Sequence, residues 1–156
     1  MFQGQLLAIH LAPTATAELQ KVEQAQAIAG QGIEGDRYSI GKGTFSKPGS
    51  KSQEITLIEQ EAVEAAARED EIPLEFVHTR RNLLTCGVPL NHLVGKEFTV
   101  GSVTMRGVKL CEPCGHLEKL HFSGIKHALQ HRGGLRAQII SGGVLQVGDV
   151  IKPMEG

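Results

Sequence analysis

Glycine is the residue that most constrains this chain, because 19 of its 156 residues are glycine and they are spread along the sequence. Glycine adopts backbone conformations with positive φ and lets chain segments approach each other closely. Such a distribution indicates many turns. The composition therefore favours a β-rich fold over a helical bundle.

Short runs of β-branched or alternating apolar residues predict several strands. These are Gln5–His10, Gln53–Glu59, Glu97–Val100, Val103–Leu110, Arg136–Ser141 and Asp149–Lys152. Glycine turns separate some of them, for example at Gly101 and at Gly142. Many short strands with glycine turns predict a mainly β fold, a β-barrel with a few short helices, since closure of a barrel removes exposed sheet edges.

Two helices are predicted beside the strands. Glu61–Asp70 is rich in Ala, which has the highest helix propensity, and Pro73 ends it. Leu117–Gln130 is the second helix, although Gly124 in its middle weakens it. The segment Ser39–Ser52, rich in Gly, Ser and Lys, predicts one long loop. Because no repeat or linker divides the chain, residues 1–156 are expected to form a single domain.

The charge and the cysteine content exclude several classes of protein. Lys and Arg number 16 against 17 Asp and Glu, so no strong net charge attracts nucleic acid or anionic membrane. The segment Met1–His10 lacks the pattern of a signal peptide, and no apolar run is long enough to span a bilayer. Three cysteines make a poor secreted disulfide framework. We therefore expect a soluble, cytoplasmic protein without a nucleic-acid partner.

Two cysteines lie in the turn Cys111–Cys114, directly after the strand that ends at Leu110. A thiolate is the softest nucleophile and metal ligand among side chains, and a turn can hold it at a surface. Lys109 would share a strand face with Cys111 and favour its thiolate form. Both cysteines of the turn are therefore candidate catalytic residues. A plain core cysteine is the alternative, above all for Cys86.

A first candidate anion site is the segment Gly32–Arg37, in which Asp36 and Arg37 follow Gly35. The planar guanidinium of Arg37 could bind a phosphate or carboxylate, with Asp36 orienting it. The alternative is a surface turn that carries an ion pair.

A second candidate anion site is formed by Arg80, Arg81 and Asn82, which lead into an apolar strand. Because side chains alternate along a strand, one arginine would face a pocket and the other would face outward. A solvated basic edge is the alternative. Gly133 and Gly134 could let backbone amides approach an anion, or serve a tight turn.

In their order and spacing, these segments resemble the MOSC family, named from the C-terminal domain of molybdenum cofactor sulfurases and also found as small stand-alone bacterial proteins. The matching segments are Gly32–Arg37, Arg80–Leu84 before Gly87, Leu93–Phe98, the turn at Pro113 and Cys114, and Gly133 and Gly134 leading to Gly148–Val150. The resemblance runs almost end to end. It implies a β-barrel domain that holds the pterin-based molybdenum cofactor (molybdopterin), or a sulfur atom destined for it, at a functional cysteine.

The resemblance also implies roles for individual residues. The functional cysteine corresponds to Cys114, which would be a ligand to molybdenum. Arg80 and Asn82 would contact the phosphate and pterin edges of the cofactor, and Arg37 would be a second anion contact. The other candidate contacts are Gly35, Asp36, Arg81, Lys109, Gly133 and Gly134. Cys111 departs from the family pattern and could resolve an oxidised or persulfidated Cys114, replace it as the ligand, or pair with it in a metal clip.

Three functions follow from these patterns. The first is a molybdenum-dependent oxidoreductase, independent of pyridoxal phosphate, that reduces N-hydroxylated compounds with an electron-transfer partner. The second is a sulfur carrier that receives a persulfide on Cys114 from a cysteine desulfurase. The third is a non-catalytic module in which the two thiols and His116 bind zinc, together with one of His121, His127 or His131.

Overall fold

The computed structural model describes residues 2–14, 17–37, 54–113 and 115–154, with only the backbone described at 115 and 116. The predicted loop Ser39–Ser52 and the predicted ligand Cys114 lie outside the described residues. Strands dominate the described ranges, and the α-helices there have four to ten residues. Within these ranges no helix is long and apolar enough to cross a membrane.

The described chain forms eleven strands, four α-helices and one 3-10 helix. In order they are β1 Gly4–Leu11, β2 Gln20–Val22, β3 Gln24–Ile28, β4 Gly32–Ile33, β5 Ile55–Glu59, α1 Gln60–Glu69, α2 Phe76–Thr79, β6 Leu83–Cys86, the 3-10 helix Leu90–Leu93, β7 Glu97–Val100, β8 Val103–Leu110, α3 Gly115–Leu120, α4 Ile125–Ala128, β9 Leu135–Ser141, β10 Gly143–Gln146 and β11 Val150–Pro153.

Seven strands close into a barrel in the order β11-β7-β8-β9-β5-β6-β1, and β11 pairs with β1 to complete the circle. Strands β5 and β6 are parallel, and the other pairs of the barrel are antiparallel. Strand β2 adds to the outside of β1, and β10, β3 and β4 form a second, smaller sheet. The predicted β-barrel with short helices is confirmed.

The second predicted helix is wrong as a continuous element. The chain instead forms α3 and α4, with Gly124 between them in the left-handed conformation at φ 97°. The carboxylate of Glu118 accepts hydrogen bonds from the amides of Gly124 and Lys126, each at 3.2 Å, and so stabilises the start of α4. A residue with positive φ cannot continue an α-helix, which is why the pair replaces one helix.

Apolar side chains form two layers, one inside the barrel and one between the barrel and the helices. Leu57 and Leu83 belong to the interior, whereas their neighbours Ile58 and Leu84 belong to the outer layer. Strands β5 and β6 are therefore buried on both faces, because α1, α2 and α4 cover the outside. The segment that connects α2 to β6 carries the arginines and the asparagine singled out above.

Candidate functional site

The segment Gly32–Arg37 ends in two buried residues that bind Ala12, directly after β1, while Glu34 and Gly35 are exposed. The Asp36 carboxylate accepts hydrogen bonds from the amide of Ala12 at 3.0 Å and from Nη1 of Arg37 at 3.1 Å. The Arg37 amide donates to the Ala12 carbonyl at 2.6 Å. Asp36 and Arg37 form the ion pair of the alternative interpretation, but both are buried, so the pair does not lie at the surface. Gly35 takes φ 85° within this turn, a conformation that favours glycine.

Arg80 ends helix α2 in the left-handed conformation, at φ 58°. Its Nη1 donates to the Ala17 carbonyl at 2.9 Å, and its own carbonyl accepts a 2.7 Å bond from Nη2 of Arg37. The predicted alternation of Arg80 and Arg81 across a strand is wrong, because both precede β6 and both are buried. The solvated basic edge does not form either.

Arg81 binds two turns of the chain at once. Its Nε donates to the Gly133 carbonyl at 2.7 Å, and its Nη2 donates to the Cys111 carbonyl at 2.8 Å. Its Nη1 donates to the Thr79 carbonyl at 3.2 Å. The guanidinium therefore joins the end of α2, the cysteine turn and the segment before β9.

Asn82 is completely buried, and both polar atoms of its side-chain amide form hydrogen bonds within the protein. Its Oδ1 accepts from the amide of Thr56 at 3.0 Å and from Thr56 Oγ1 at 3.1 Å, while its Nδ2 donates to the His10 carbonyl at 3.2 Å. The backbone N–H of Asn82 in turn donates to Thr56 Oγ1 at 3.0 Å. This arrangement holds β1, β5 and the start of β6 together.

Gly133 and Gly134 allow close packing of backbone segments. A Cβ atom on Gly133 would collide with the Cys111 carbonyl and lie 2.9 Å from Cδ of Pro113. Gly134, at φ 111°, leaves no room for a Cβ beside the Leu57 carbonyl. Both glycines are buried, and the contacts that require them are with the chain itself.

The cysteine turn begins with Cys111, whose side chain is completely buried. Its amide donates to the Gly134 carbonyl at 2.7 Å, and its own carbonyl accepts from Arg81. Lys109 is exposed, so the expected shared face with Cys111 is wrong. The register of β8 against β9 shifts between Gly107 and Lys109, and β8 ends before Cys111, so simple alternation does not extend to the cysteine. Cys86 is a free, half-buried cysteine at the end of β6.

A cavity of about 450 Å³ lies beside this turn. It is lined by Glu112, Pro113, Glu118, Lys126, His127 and Gln130. Glu112 also binds His131, whose amide and Nδ1 both lie 2.9 Å from the carboxylate oxygens. The cavity therefore joins the cysteine turn to helices α3 and α4.

His10 is a buried polar residue that the sequence analysis missed. Its ring stacks on Phe76 with 4.2 Å between centroids, and its Nδ1 has no hydrogen-bond partner among the described residues. Burial, and secondarily the charge of Lys21, lowers the pKa of His10 below its ordinary value. Its position as the single ionisable residue of the apolar run Leu6–Leu11 is the signal that could have identified it.

Among the described residues, no group of three or more His, Cys, Asp and Glu could hold a metal ion. The proposed zinc clip depends on Cys114 and on the side chain of His116, which lie outside that description. Of its possible fourth ligands, His131 binds Glu112 and His127 lies 3.9 Å from Asp70.

Hydrogen bonds thus connect the two candidate anion sites and the cysteine turn. Asp36 binds Arg37, Arg37 binds the Arg80 carbonyl, and Arg81 binds the cysteine turn. Asn82 belongs to a neighbouring network with Thr56 and His10, and Lys109 lies exposed on β8.

Solved structures show what this fold is similar to, while no curated protein matches the chain. The YUAD protein from Bacillus subtilis is 16% identical with a TM-score of 0.76, and the match covers 97% of each chain. YiiM from Geobacillus stearothermophilus is 14% identical with a TM-score of 0.75, covering 97% of this chain and 75% of its own. YiiM from Escherichia coli is 17% identical with a TM-score of 0.66, covering 97% of this chain and 70% of its own.

The TM-scores of these matches establish similarity of fold. The family itself is identified by the model of the MOSC domain, which matches residues 45–152. That match covers the cysteine turn, the three residues that lead into β6 and six of the seven barrel strands. The chain belongs to the MOSC domain family.

Proposed function

We propose that this MOSC domain binds the pterin-based molybdenum cofactor, with Cys114 as its thiolate ligand and Arg37 and Arg80 as the contacts to its phosphate. The observation that carries the proposal is a set of linked contacts: Asp36 binds Arg37, Arg37 binds the Arg80 carbonyl, and Arg81, the next residue in the chain, binds the carbonyl of Cys111. These bonds support the proposal because they connect the buried arginines to the turn that begins at Cys111 in a MOSC domain.

The donor set fits the two ends of such a cofactor. Guanidinium groups bind phosphate oxygens with charge-assisted hydrogen bonds, and thiolates suit soft, highly charged redox metals. Asp36 holds Nη1 of Arg37 at 3.1 Å and would orient its guanidinium toward an anion. Gly35, at φ 85°, supplies the turn that brings both residues into place.

Other candidate contacts fit the cofactor less well. The side-chain amide of Asn82 is hydrogen-bonded to Thr56 and to the His10 carbonyl. Gly133 and Gly134 pack against the protein backbone. Lys109 is exposed on β8. We therefore narrow the proposed contacts to Arg37, Arg80 and Cys114, and assign the buried asparagine and glycines to the framework that holds them.

The two cysteines of the turn have different proposed roles. Cys111 is completely buried, and a structural buried cysteine is inert because a reactive cysteine needs an accessible thiol. This favours Cys114 as the functional thiol. The bound cofactor would supply the electrons that reduce the N–O bond of an N-hydroxylated compound, while the protein supplies ligation, orientation and electrostatics.

The test is to measure molybdenum and pterin in protein purified without oxygen from a host that makes the cofactor. We expect equimolar molybdenum and pterin in the wild type and in Cys111→Ser, and loss of molybdenum in Cys114→Ser. Reduction of N-hydroxylated compounds is then assayed on the loaded protein.

Wild-type protein without molybdenum or pterin would overturn the proposal, as would a Cys114→Ser variant that keeps its molybdenum. The first result would favour the sulfur carrier, which predicts a persulfide on Cys114 after incubation with a cysteine desulfurase. In that case Cys111, being completely buried, would not resolve the persulfide without movement of the turn.

A further inference from the structure

The outer face of the barrel strands β11, β7, β8 and β9 is basic. Four of the five charged residues in these strands are cations, and Glu97 is the exception. The cations are Arg106, Lys109, Arg136 and Lys152. Two aliphatic side chains on the same strands are also exposed, Ile140 at 41% and Val150 at 40%. This basic face therefore presents positive charge together with apolar surface.

Two of these cations lie directly opposite each other. Lys109 on β8 and Arg136 on β9 are partners in the register of the sheet, whereas Arg106 on β8 is opposite Glu97 on β7. Like charges opposite each other on neighbouring strands destabilise a sheet, and opposite charges stabilise it. An anionic group at this face would lower the repulsion between the first pair.

The side of the molecule that carries α1 is acidic. In the segment Gln60–Glu75, six of the seven charged residues are acidic, and Arg68 is the exception. The acidic residues are Glu61, Glu64, Glu69, Asp70, Glu71 and Glu75. Helix α1 packs on β5 and β6. Around the closed barrel, β9 and β8 separate β5 from β7, and β1 and β11 separate β6 from β7. The basic face and this acidic face therefore lie on opposite sides of the barrel.

A groove of about 520 Å³ lies in the acidic face. Val63 and Leu74, which are both buried, form part of its apolar floor. Glu64, Arg68 and Glu75 lie along its rim. A groove with an apolar floor and carboxylates at its edge complements a surface that presents aliphatic side chains among cations.

We propose that the basic face of one copy of this chain binds the acidic face of a second copy. Charge complementarity selects this partner, because the chain itself carries both halves of the contact. The formal net charge is -1, so two copies lack the general repulsion of a strongly charged protein. Because the two faces differ, the contact is head-to-tail and leaves one free face at each end of the assembly. This inference is independent of cofactor binding.

The test is sedimentation velocity of the full chain at about 20 mM and about 300 mM salt, which screen charges to different degrees. The basic-face variant carries Arg106→Glu and Lys152→Glu, and the acidic-face variant carries Glu64→Lys and Glu71→Lys. All four of these side chains are exposed. Lys21→Glu is the control, because it reverses an exposed cation on β2, outside both faces. Circular dichroism checks that each variant is folded.

We expect the wild type and the control to form species larger than a dimer at low salt and to be monomeric at high salt. Each face variant alone should be monomeric at both salt concentrations, with a dissociation constant for self-association raised at least about tenfold. A mixture of the two face variants at low salt should form dimers and nothing larger, because each variant supplies one intact face.

Wild-type protein that stays monomeric at low salt would overturn the inference, as would self-association that persists in either face variant. A mixture of the two variants that forms no dimers would show that the contact is not between these two faces. If one face variant does not fold, the other decides by the same criterion. A monomeric wild type that binds labelled oligoglutamate or a single-stranded oligonucleotide, through a face that the basic-face variant lacks, would assign that face to a different anionic partner.

Discussion

Asn82 joins three segments of the chain through one buried amide. It binds Thr56 on β5, the His10 carbonyl on β1, and its own backbone continues into β6. Every polar atom of the Asn82 side chain thus has a partner inside the protein, and these bonds stabilise the fold. Asn82 thereby fixes the segment that carries both adjacent arginines.

Replacing this amide should destabilise the protein strongly. In Asn82→Ala the amide and hydroxyl of Thr56 lose their acceptor while buried, which should cost about 2–4 kcal/mol in the free energy of unfolding. Asn91→Ala is the matched control, since exposed Asn91 donates one bond to the His131 carbonyl, and should change stability by less than about 0.5 kcal/mol. Urea denaturation measures both, and equal losses in the two variants would contradict this role of Asn82.

His10 makes the folded state sensitive to acid. Burial, with a smaller contribution from Lys21, lowers its pKa in the folded state, whereas the unfolded chain binds the proton at the ordinary value of 6.5. The unfolded state therefore binds more protons between these two values, and stability falls as the pH drops below about 6.5. The loss is complete once the pH lies below the pKa of the folded state.

In His10→Phe, which can still stack on Phe76, this contribution should disappear. Between pH 7.5 and 5.5 the free energy of unfolding of the variant should fall less steeply than that of the wild type, by at most about 1.4 kcal/mol per pH unit, the limit for one proton. His127→Gln replaces an exposed histidine and should leave the slope close to that of the wild type. Parallel slopes for wild type and His10→Phe would show that His10 does not titrate as argued.

At the scale of elements, the sequence predicted most of the barrel strands. Strands β7 and β8 have the predicted bounds, and β1, β5, β9 and β11 differ by one or two residues at their ends. The short strands β2, β3, β4 and β10 were missed, because runs of two to five residues are too short to carry a periodic signal.

The network around the cysteine turn could not be predicted from local patterns. Arg37 and Arg80 are 43 residues apart, Arg81 and Gly133 are 52 apart, and Arg81 and Cys111 are 30 apart. The sequence singled out these arginines, but their partners here are backbone carbonyls, which have no signature in a sequence. The same reason explains why Gly133 and Gly134 looked like an anion cradle.

Two glycines with positive φ, one crowded and one not, allow the free-energy cost of the backbone conformation to be measured separately from the cost of steric crowding. Gly134 has φ 111° and no room for a Cβ beside the Leu57 carbonyl, whereas Gly148 has φ 100° and nothing within 4 Å of that position. Gly148→Ala should therefore cost about 1 kcal/mol, the cost of the conformation alone. Gly134→Ala should cost about 3 kcal/mol or more, because β5 must also move. Thermal or urea denaturation would reveal the difference, and equal costs would show that the contact with β5 relaxes easily.

At the scale of the whole molecule, one short strand closes the barrel. Strand β11 pairs with β1 through Ile151 opposite Gly4, and with β7 through Ile151 opposite Val100. Two further bonds fix the same closure, from the Leu6 amide to the Asp149 carbonyl at 2.9 Å and from the Gly148 amide to the Leu6 carbonyl at 2.8 Å. Without this closure β1 and β7 would each present an unpaired edge, which in a β protein promotes association with other chains.

Closure should depend on the inward-facing side chain of β11 far more than on its outward-facing neighbour. Ile151 is completely buried in the barrel interior, and Lys152 is exposed. Ile151→Ala should lower the free energy of unfolding by about 2–4 kcal/mol through lost burial and the cavity it leaves, while Lys152→Ala should change it by less than about 0.5 kcal/mol. Hydrogen exchange gives a second measure: the amides of Leu6 and Gly148 should lose protection in Ile151→Ala and keep it in Lys152→Ala. If those two amides exchange at the wild-type rate while stability falls, the side chain stabilises the core without controlling closure of the barrel.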